Sequence, residues 1–330
     1  MPRNPDPFVA VLTLGGTIAS TPSHGGDLVE PALSADDLLA SIGGASGLPA
    51  LRAERLLQRP SGDLDFTSIA KVAERVGEMI GQGACGVVIT QGTDTLEETA
   101  FQLDLMLDAS QPVVLTGALR NPTLPGADGA ANLLAAIRVA ASASAAGLGV
   151  LVAMNDEVHA ARFVRKMHTH KPSAFASPCA GPLGWIAEDR VRIVLRPAEP
   201  LLTIPWRGEP PEVPLVTMGF SASDADIRPW LDNPPAGIVI AGFGVGHTPS
   251  RTVDLIGALA SKVPVVLASR IGAGEVFSGT YGYPGSESDL LSRGCIGAGY
   301  LDPLKARVLL ALLLADSADR DRIGKAFAEF

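Results

Sequence analysis

Cysteine, aromatic side chains and charge are all scarce in this chain. Its 330 residues include three cysteines, 5% aromatic and 18% charged residues. Cys85, Cys179 and Cys295 are an odd number at wide spacings, which excludes a CxxC redox or zinc motif and fits reduced thiols in a cytoplasmic protein. Lys and Arg number 26 against 35 Asp and Glu, a net charge of −9. That balance argues against nucleic acid or an anionic membrane as partner, since both demand clustered basic residues. A small anionic substrate stays open, because a site is a local arrangement. No apolar run reaches the roughly 18 residues of a membrane span. The opening "MPRNPDPFVAVLTLGG" lacks the charged start, long apolar stretch and small-residue cleavage site of a signal peptide, so none is expected. P-loop, HExxH and GxSxG motifs are missing too.

What is present is apolar and regularly punctuated. Hydrophobic residues make up 47% of the chain, enough for a sizeable core, and the length suggests about two domains. Short apolar runs repeatedly end in glycine, threonine or asparagine and lead into helical patterns. They are "FVAVLTL" at 8–14, "GVVIT" at 86–90, "PVVLTG" at 112–117, "LGVLVAMN" at 148–155, "GIVIAGFG" at 237–244 and "PVVLAS" at 264–269. Their continuous character predicts parallel strands covered on both faces, an α/β sheet with ligands at the carboxyl ends of its strands. "RPAEPLLTIPWRGEPPEVP" at 196–214 holds six prolines and can continue neither a helix nor a central strand. It predicts a linker between a larger N-terminal α/β domain, residues 1–195, with a mainly parallel sheet, and a smaller C-terminal α/β domain, residues 215–330. The alanine-rich "AANLLAAIRVAASASAAG" at 130–147 reads as one helix with a glycine stop.

The chemistry concentrates in a few polar turns. In "VVITQGTDTLEETAFQLDLML" at 87–107, a strand runs into Gln91, Gly92, Thr93 and Asp94, and a helix follows. Thr95 and Glu98 have capping-box spacing, and Leu96, Ala100, Leu103 and Leu107 predict one apolar face. Thr93 and Asp94 therefore fall at a helix N-terminus, whose free N–H groups favour a carboxylate or an oxyanion. Taken alone they are ordinary turn residues, as is Thr17 behind the two glycines of "VLTLGGTIAS" at 11–20. "PSGDLDF" at 60–66 adds Ser61 and Asp63 before another helix, and Lys166 follows a further strand. By itself Lys166 reads as a solvated lysine.

Together these stretches resemble the bacterial-type L-asparaginases and glutaminase-asparaginases. The matching segments are "TLGGTIAS", "PSGDL", "ITQGTDTLEET", "VVLTGALR", "MNDEVHAARFVRK", "AFASPCAGPLGWI" and "LDPLKARVLL", in the family's order over roughly residues 8–316. The resemblance implies an amidohydrolase that converts L-asparagine to L-aspartate and ammonia through an acyl-enzyme. Thr17 then looks like the nucleophile. Thr93, Lys166 and Asp94 look like the second catalytic group, with Lys166 as base or proton carrier. Ser61 looks like the binder of the substrate α-carboxylate, and Asp94 like the anchor of its α-ammonium. Backbone N–H groups of Thr93 and Ala118 would receive the oxyanion, with Gly16, Gly62 and Gly92 lining the site. The resemblance further implies no cofactor or metal, a small amino-acid amide as partner, and a homo-oligomer, dimer or tetramer.

The chain also departs from that family. A tyrosine normally follows the first motif, yet residues 21–34 read "TPSHGGDLVEPALS", and Tyr281, Tyr283 and Tyr300 lie near the other end. His24 is one replacement, and a tyrosine from elsewhere in the fold is another. Gly62 stands where glutamine is common, and His247 where well-studied members carry asparagine. These changes leave open a preference for glutamine or another small amide, or a catalytically weak amino-acid-binding homologue. In a different class, "GFGVG" at 242–246 with Arg270 ending the next strand resembles a dinucleotide turn, with GxGxG spacing in place of GxGxxG. His168 and His170 form an HxH pair without a third ligand at a recognisable spacing.

Overall fold

The computed structural model describes residues 7–16, 18, 20–22, 29–31, 35–43, 47–198 and 202–330. The chain divides into two compact units, Met1–Thr203 and Ile204–Phe330. The first opens with β1 (Phe8–Thr13), β2 (Ser20–Pro22), β3 (Val29–Pro31) and α1 (Ala35–Ser41). Then come β4 (Ala50–Arg55), α2 (Phe66–Gly81), β5 (Ala84–Thr90), α3 (Leu96–Met106), β6 (Val113–Thr116) and α4 (Gly129–Ala140). It closes with β7 (Val150–Met154), β8 (Glu157–Ala160), β9 (Arg165–Lys166), β10 (Phe175–Ala176), β11 (Gly184–Ala187) and β12 (Arg190–Ile193). Among the described residues eight strands form one sheet, ordered β12-β11-β8-β7-β6-β5-β1-β4. From β4 to β7 the pairs are parallel; β8, β11 and β12 extend the sheet antiparallel.

β1 shows why the apolar runs are continuous. Phe8, Ala10 and Leu12 pack with Ile69, Val72 and Val76 of α2 and with Leu96 and Leu103 of α3. Val9 and Val11 pack on the other face with Leu133, Ala136 and Ile137 of α4. A parallel strand covered on both faces has no polar side, and each fully buried Val or Leu contributes roughly 1.5–3 kcal/mol relative to exposure.

Two helices differ from expectation. The predicted single apolar face of α3 is instead burial on nearly every side, taking in Glu97, Gln102 and Asp104 as well as Leu96, Phe101 and Leu103. Thr95 caps no N–H with its side chain; its hydroxyl donates to the Ser61 carbonyl at 2.9 Å. The expected capping box is thus replaced by a tie between α3 and the Ser61 loop. The helix predicted over 130–147 ends at Ala140, and a 3-10 turn covers Ala143–Ala145. Ser142 and Ser144 there bond each other at 2.8 Å, local pairing that competes with helix continuation.

β12 ends at Ile193 and the next strand starts at Leu215, with neither helix nor strand in the described residues between. The second unit runs β13 (Leu215–Thr217), α5 (Asp224–Asp232), β14 (Ile238–Gly242), α6 (Val253–Ala260) and β15 (Val265–Ser269). α7 (Glu287–Ser292), β16 (Ile296–Gly297), α8 (Pro303–Ala315) and α9 (Arg320–Phe327) complete it. Its four strands are parallel in sequence order. The "LDPLKARVLL" motif is a helix start: Asp302 accepts from Leu304 N and Lys305 N, and Pro303 opens α8.

The glycine turn after β14 does not run directly into a helix as a dinucleotide turn would. Phe243 and His247 exchange backbone hydrogen bonds of 2.7 and 2.8 Å, and a 3-10 turn at Ser250–Thr252 precedes α6. Arg270 donates to the Met218 carbonyl at 2.7 Å and lies over the Phe243 ring. Turn and arginine are both engaged internally, which removes the nucleotide reading. No helix among the described residues is long and apolar enough to cross a membrane.

Candidate active site

Three turns at the carboxyl ends of neighbouring parallel strands meet in the first unit. Gly16, after β1, has φ +88°, and a Cβ there would lie 2.1 Å from Gly92 N. The backbone before Thr17 therefore rests on the backbone before Thr93. Gly92 in turn faces Ser61, whose Oγ would sit 2.8 Å from a Cβ at Gly92. Gly117, after β6, approaches the Gln91 carbonyl and the Thr93 methyl group. Only glycine permits such backbone contacts at the first of these positions.

Lys166 reaches the same place from β9. Its Nζ donates to Thr93 Oγ1 at 2.9 Å and to Asp94 Oδ1 at 2.5 Å. Thr93 is buried, the Lys166 side chain is 16% exposed, and that of Asp94 is 79% exposed. A pair with one partner so open to water contributes little to stability, about 0–1 kcal/mol; its consequence is orientation. Because Thr93 Oγ1 accepts from the ammonium, its own O–H is left to donate elsewhere. Ser61 Oγ accepts the Asp94 N–H at 3.3 Å. Thr17 and His24 lie outside the described residues.

Ala118 is buried on the turn after β6. That turn is braced by Asp128, whose carboxylate accepts from Leu119 N at 3.0 Å and Arg120 N at 2.9 Å. Asn132 donates to the Gly117 carbonyl at 3.0 Å and accepts from Asn155 N at 3.0 Å. Among the described residues no group accepts from the N–H of Thr93 or of Ala118. A cavity of about 340 Å³ opens over Asp94, Lys166, Met167, His168 and Thr169. A larger cavity, about 430 Å³, lies at the opposite end of the strands beside Gly149 and Asp104 and touches none of these residues.

Both models of one enzyme family match this chain: "Asparaginase, N-terminal" over residues 8–199 and "Glutaminase/Asparaginase C-terminal domain" over residues 212–327. The chain belongs to the asparaginase family. A probable periplasmic L-asparaginase of Haemophilus influenzae is 35% identical, over 98% of this chain and 93% of that protein. A probable L-asparaginase of Deinococcus radiodurans is also 35% identical, over 98% of each. A solved structure, a probable cytoplasmic L-asparaginase from Campylobacter jejuni, superposes with TM-score 0.87 at 31% identity, over 98% of this chain and 100% of that one.

Of the residues that the resemblance to asparaginases singled out, Gly16, Ser61, Gly92, Thr93, Asp94 and Lys166 come together through the contacts above. Gly62 is exposed beside Ser61, with open space where a side chain would stand. Sequence reasoning missed Glu97, Asp128 and Asn132. Buried Glu97 accepts the Lys166 backbone N–H at 2.6 Å and so fixes the strand from which Nζ reaches Thr93. Burial obliges Glu97 and Asn132 to find partners, and Asp128 stands half-buried just before α4; that burial becomes visible only in the fold.

His168 and His170 meet ring to ring at 4.6 Å. His168 Nδ1 accepts from the N–H of His170 and of Lys171, so it shapes the loop at the cavity edge. Desolvation first, then the charges of Lys171 and His170, hold His168 below the ordinary histidine value. No group of three or more potential metal ligands occurs among the described residues.

Proposed function

We propose that this chain is an L-asparaginase that hydrolyses the side-chain amide of L-asparagine to L-aspartate and ammonia. The observation that carries the reading is Lys166 Nζ bonded to both Thr93 and Asp94, on a turn that packs against the glycine preceding Thr17. An amide needs a nucleophile activated by a base, donors aimed at the developing oxyanion, and anchors that hold the substrate in one orientation. In this reading the Thr17 hydroxyl attacks the amide carbon, ammonia leaves, and an ester to Thr17 remains. Thr93 stands beside that carbon and exchanges protons with Lys166 as water releases aspartate.

The open N–H groups of Thr93 and Ala118 suit the oxyanion. Ser61 would bind the α-carboxylate, and the exposed Asp94 carboxylate would bind the α-ammonium. Glutamine is the competing substrate, since Gly62 adds no side chain to restrict length. We further infer a cofactor-free cytoplasmic enzyme, suited to three cysteines that are not joined in disulfides, that works as a homo-oligomer, dimer or tetramer. The test is ammonia release from L-asparagine and L-glutamine by the purified chain and by Thr17→Ala. The variant should lose nearly all turnover while keeping its circular dichroism spectrum; wild-type release from a folded Thr17→Ala protein removes the nucleophile assignment.

A further inference from the structure

Between β5 and α3 the chain carries Gln91, Gly92, Thr93, Asp94 and Thr95. Gln91 is fully buried, an unusual place for a primary amide whose oxygen and NH2 group both seek partners. Its backbone is fixed from two sides. The Gln91 N–H donates to the Thr116 carbonyl at 3.1 Å, and its own carbonyl oxygen lies where a Cβ at Gly117 would come within 2.7 Å. The side-chain Nε2 donates to the Gly92 carbonyl at 3.2 Å. Gly92 O can only accept, so the amide turns its NH2 group toward it and not its oxygen.

That orientation leaves Gln91 Oε1 buried without a partner among the described residues, which is unfavourable. An unmet buried acceptor calls for a reason, and packing supplies none, since an apolar side chain of the same length would fill the space without it. The reason lies in the peptide unit that the amide holds. Gly92 C=O and Thr93 N–H belong to one planar trans peptide and point in opposite directions. A donor on the carbonyl therefore sets the direction of the N–H and, by polarising the unit, strengthens it as a donor. Among the described residues nothing accepts from that N–H.

We propose that Gln91 is a positioning residue for amide hydrolysis, an inference that rests on the asparaginase reading. Its side chain holds and polarises the Gly92–Thr93 peptide so that the Thr93 N–H meets the oxyanion. The N–H is already aimed when the substrate carbonyl oxygen gains charge, so nothing has to reorient in the transition state. The bound ground state gains little, because a neutral carbonyl asks less of the donor. Gln91 thus acts on kcat and leaves binding alone.

Gln91→Met keeps an unbranched side chain of similar length and removes the donor. Steady-state ammonia release from L-asparagine is measured for the full chain and the variant, with aspartate affinity followed by titration calorimetry. In the variant kcat should fall at least about tenfold, less than the roughly 10²–10³ lost when an oxyanion donor is deleted outright. KM and the aspartate Kd should stay within about twofold, the mark of an interaction made in the transition state. A smaller fall in kcat overturns the proposal, as does a loss of aspartate affinity that matches the loss of kcat, the pattern of a merely structural residue. If Gln91→Met does not fold, Gln91→Leu is put to the same measurements. Turnover by the unaltered chain that the variant equals removes this inference alone; an unaltered chain that releases no ammonia removes the asparaginase reading and this inference with it.

Discussion

Thr93 carries a distinction that a single hydroxyl can test. It is buried, and its Oγ1 is tied to Lys166. Thr93→Val keeps the shape while removing the oxygen, and Lys166 retains Asp94. We expect kcat for asparagine to fall by at least about 10², with little change in KM, because proton transfer is lost while the anchors remain. Steady-state ammonia release checks this, and an unchanged kcat would reduce Thr93 to a turn residue. Thr93, Asp94 and Lys166 were legible in the sequence only as members of a motif set, since each by itself is an ordinary surface residue type. Glu97 was not legible. It meets the Lys166 backbone across 69 positions, and no local spacing announces a carboxylate that braces a distant strand. Thr95 shows the opposite failure, a pattern with capping-box spacing whose hydroxyl is drawn away to Ser61.

Among elements, legibility followed burial. Parallel strands β1, β5, β6, β7, β14 and β15 are covered on both faces, so each wrote a continuous apolar run into the sequence. β12 did not: its pattern Arg190-Val191-Arg192-Ile193 alternates between exposed and half-buried, and β9 and β10, which carry and pair Lys166, are two residues each. The turns between elements hold the stricter constraint. A Cβ at Gly16 would strike Gly92 N at 2.1 Å from a backbone at φ +88°. Gly16→Ala combines left-handed strain with overpacking and should destabilise the chain by at least about 2 kcal/mol. Gly62→Ala, with nothing within 4 Å of the new methyl group, should stay within about 0.5 kcal/mol. Urea midpoints of the two variants decide. A Gly16→Ala protein as stable as Gly62→Ala would mean that the turns before Thr17 and Thr93 do not touch.

For the whole molecule, two buried groups set opposing responses to acid. His159 is fully buried against Ser177, and desolvation lowers it to about 4 from 6.5. Its stabilising influence is present above pH 6.5 and lost as pH falls through about 4, because only the unfolded chain binds the proton in between. Asp104, buried in α3 and accepting from Val150 N, is raised by desolvation from 3.8 to about 6. Its contribution runs the other way, present below pH 3.8 and lost as pH rises through about 6. At roughly 1.4 kcal/mol per pH unit, each amounts to about 3 kcal/mol, so between about pH 4 and 6 they nearly cancel. Asp104→Asn keeps an acceptor for Val150 N but cannot titrate, which exposes the histidine. Relative to wild type, the variant should lose about 3 kcal/mol between about pH 7 and about pH 4, read from denaturant midpoints at both values. Carboxylates elsewhere titrate in both proteins and drop out of the difference. Parallel curves for the two chains would show that Asp104 keeps its ordinary ionisation in the folded protein.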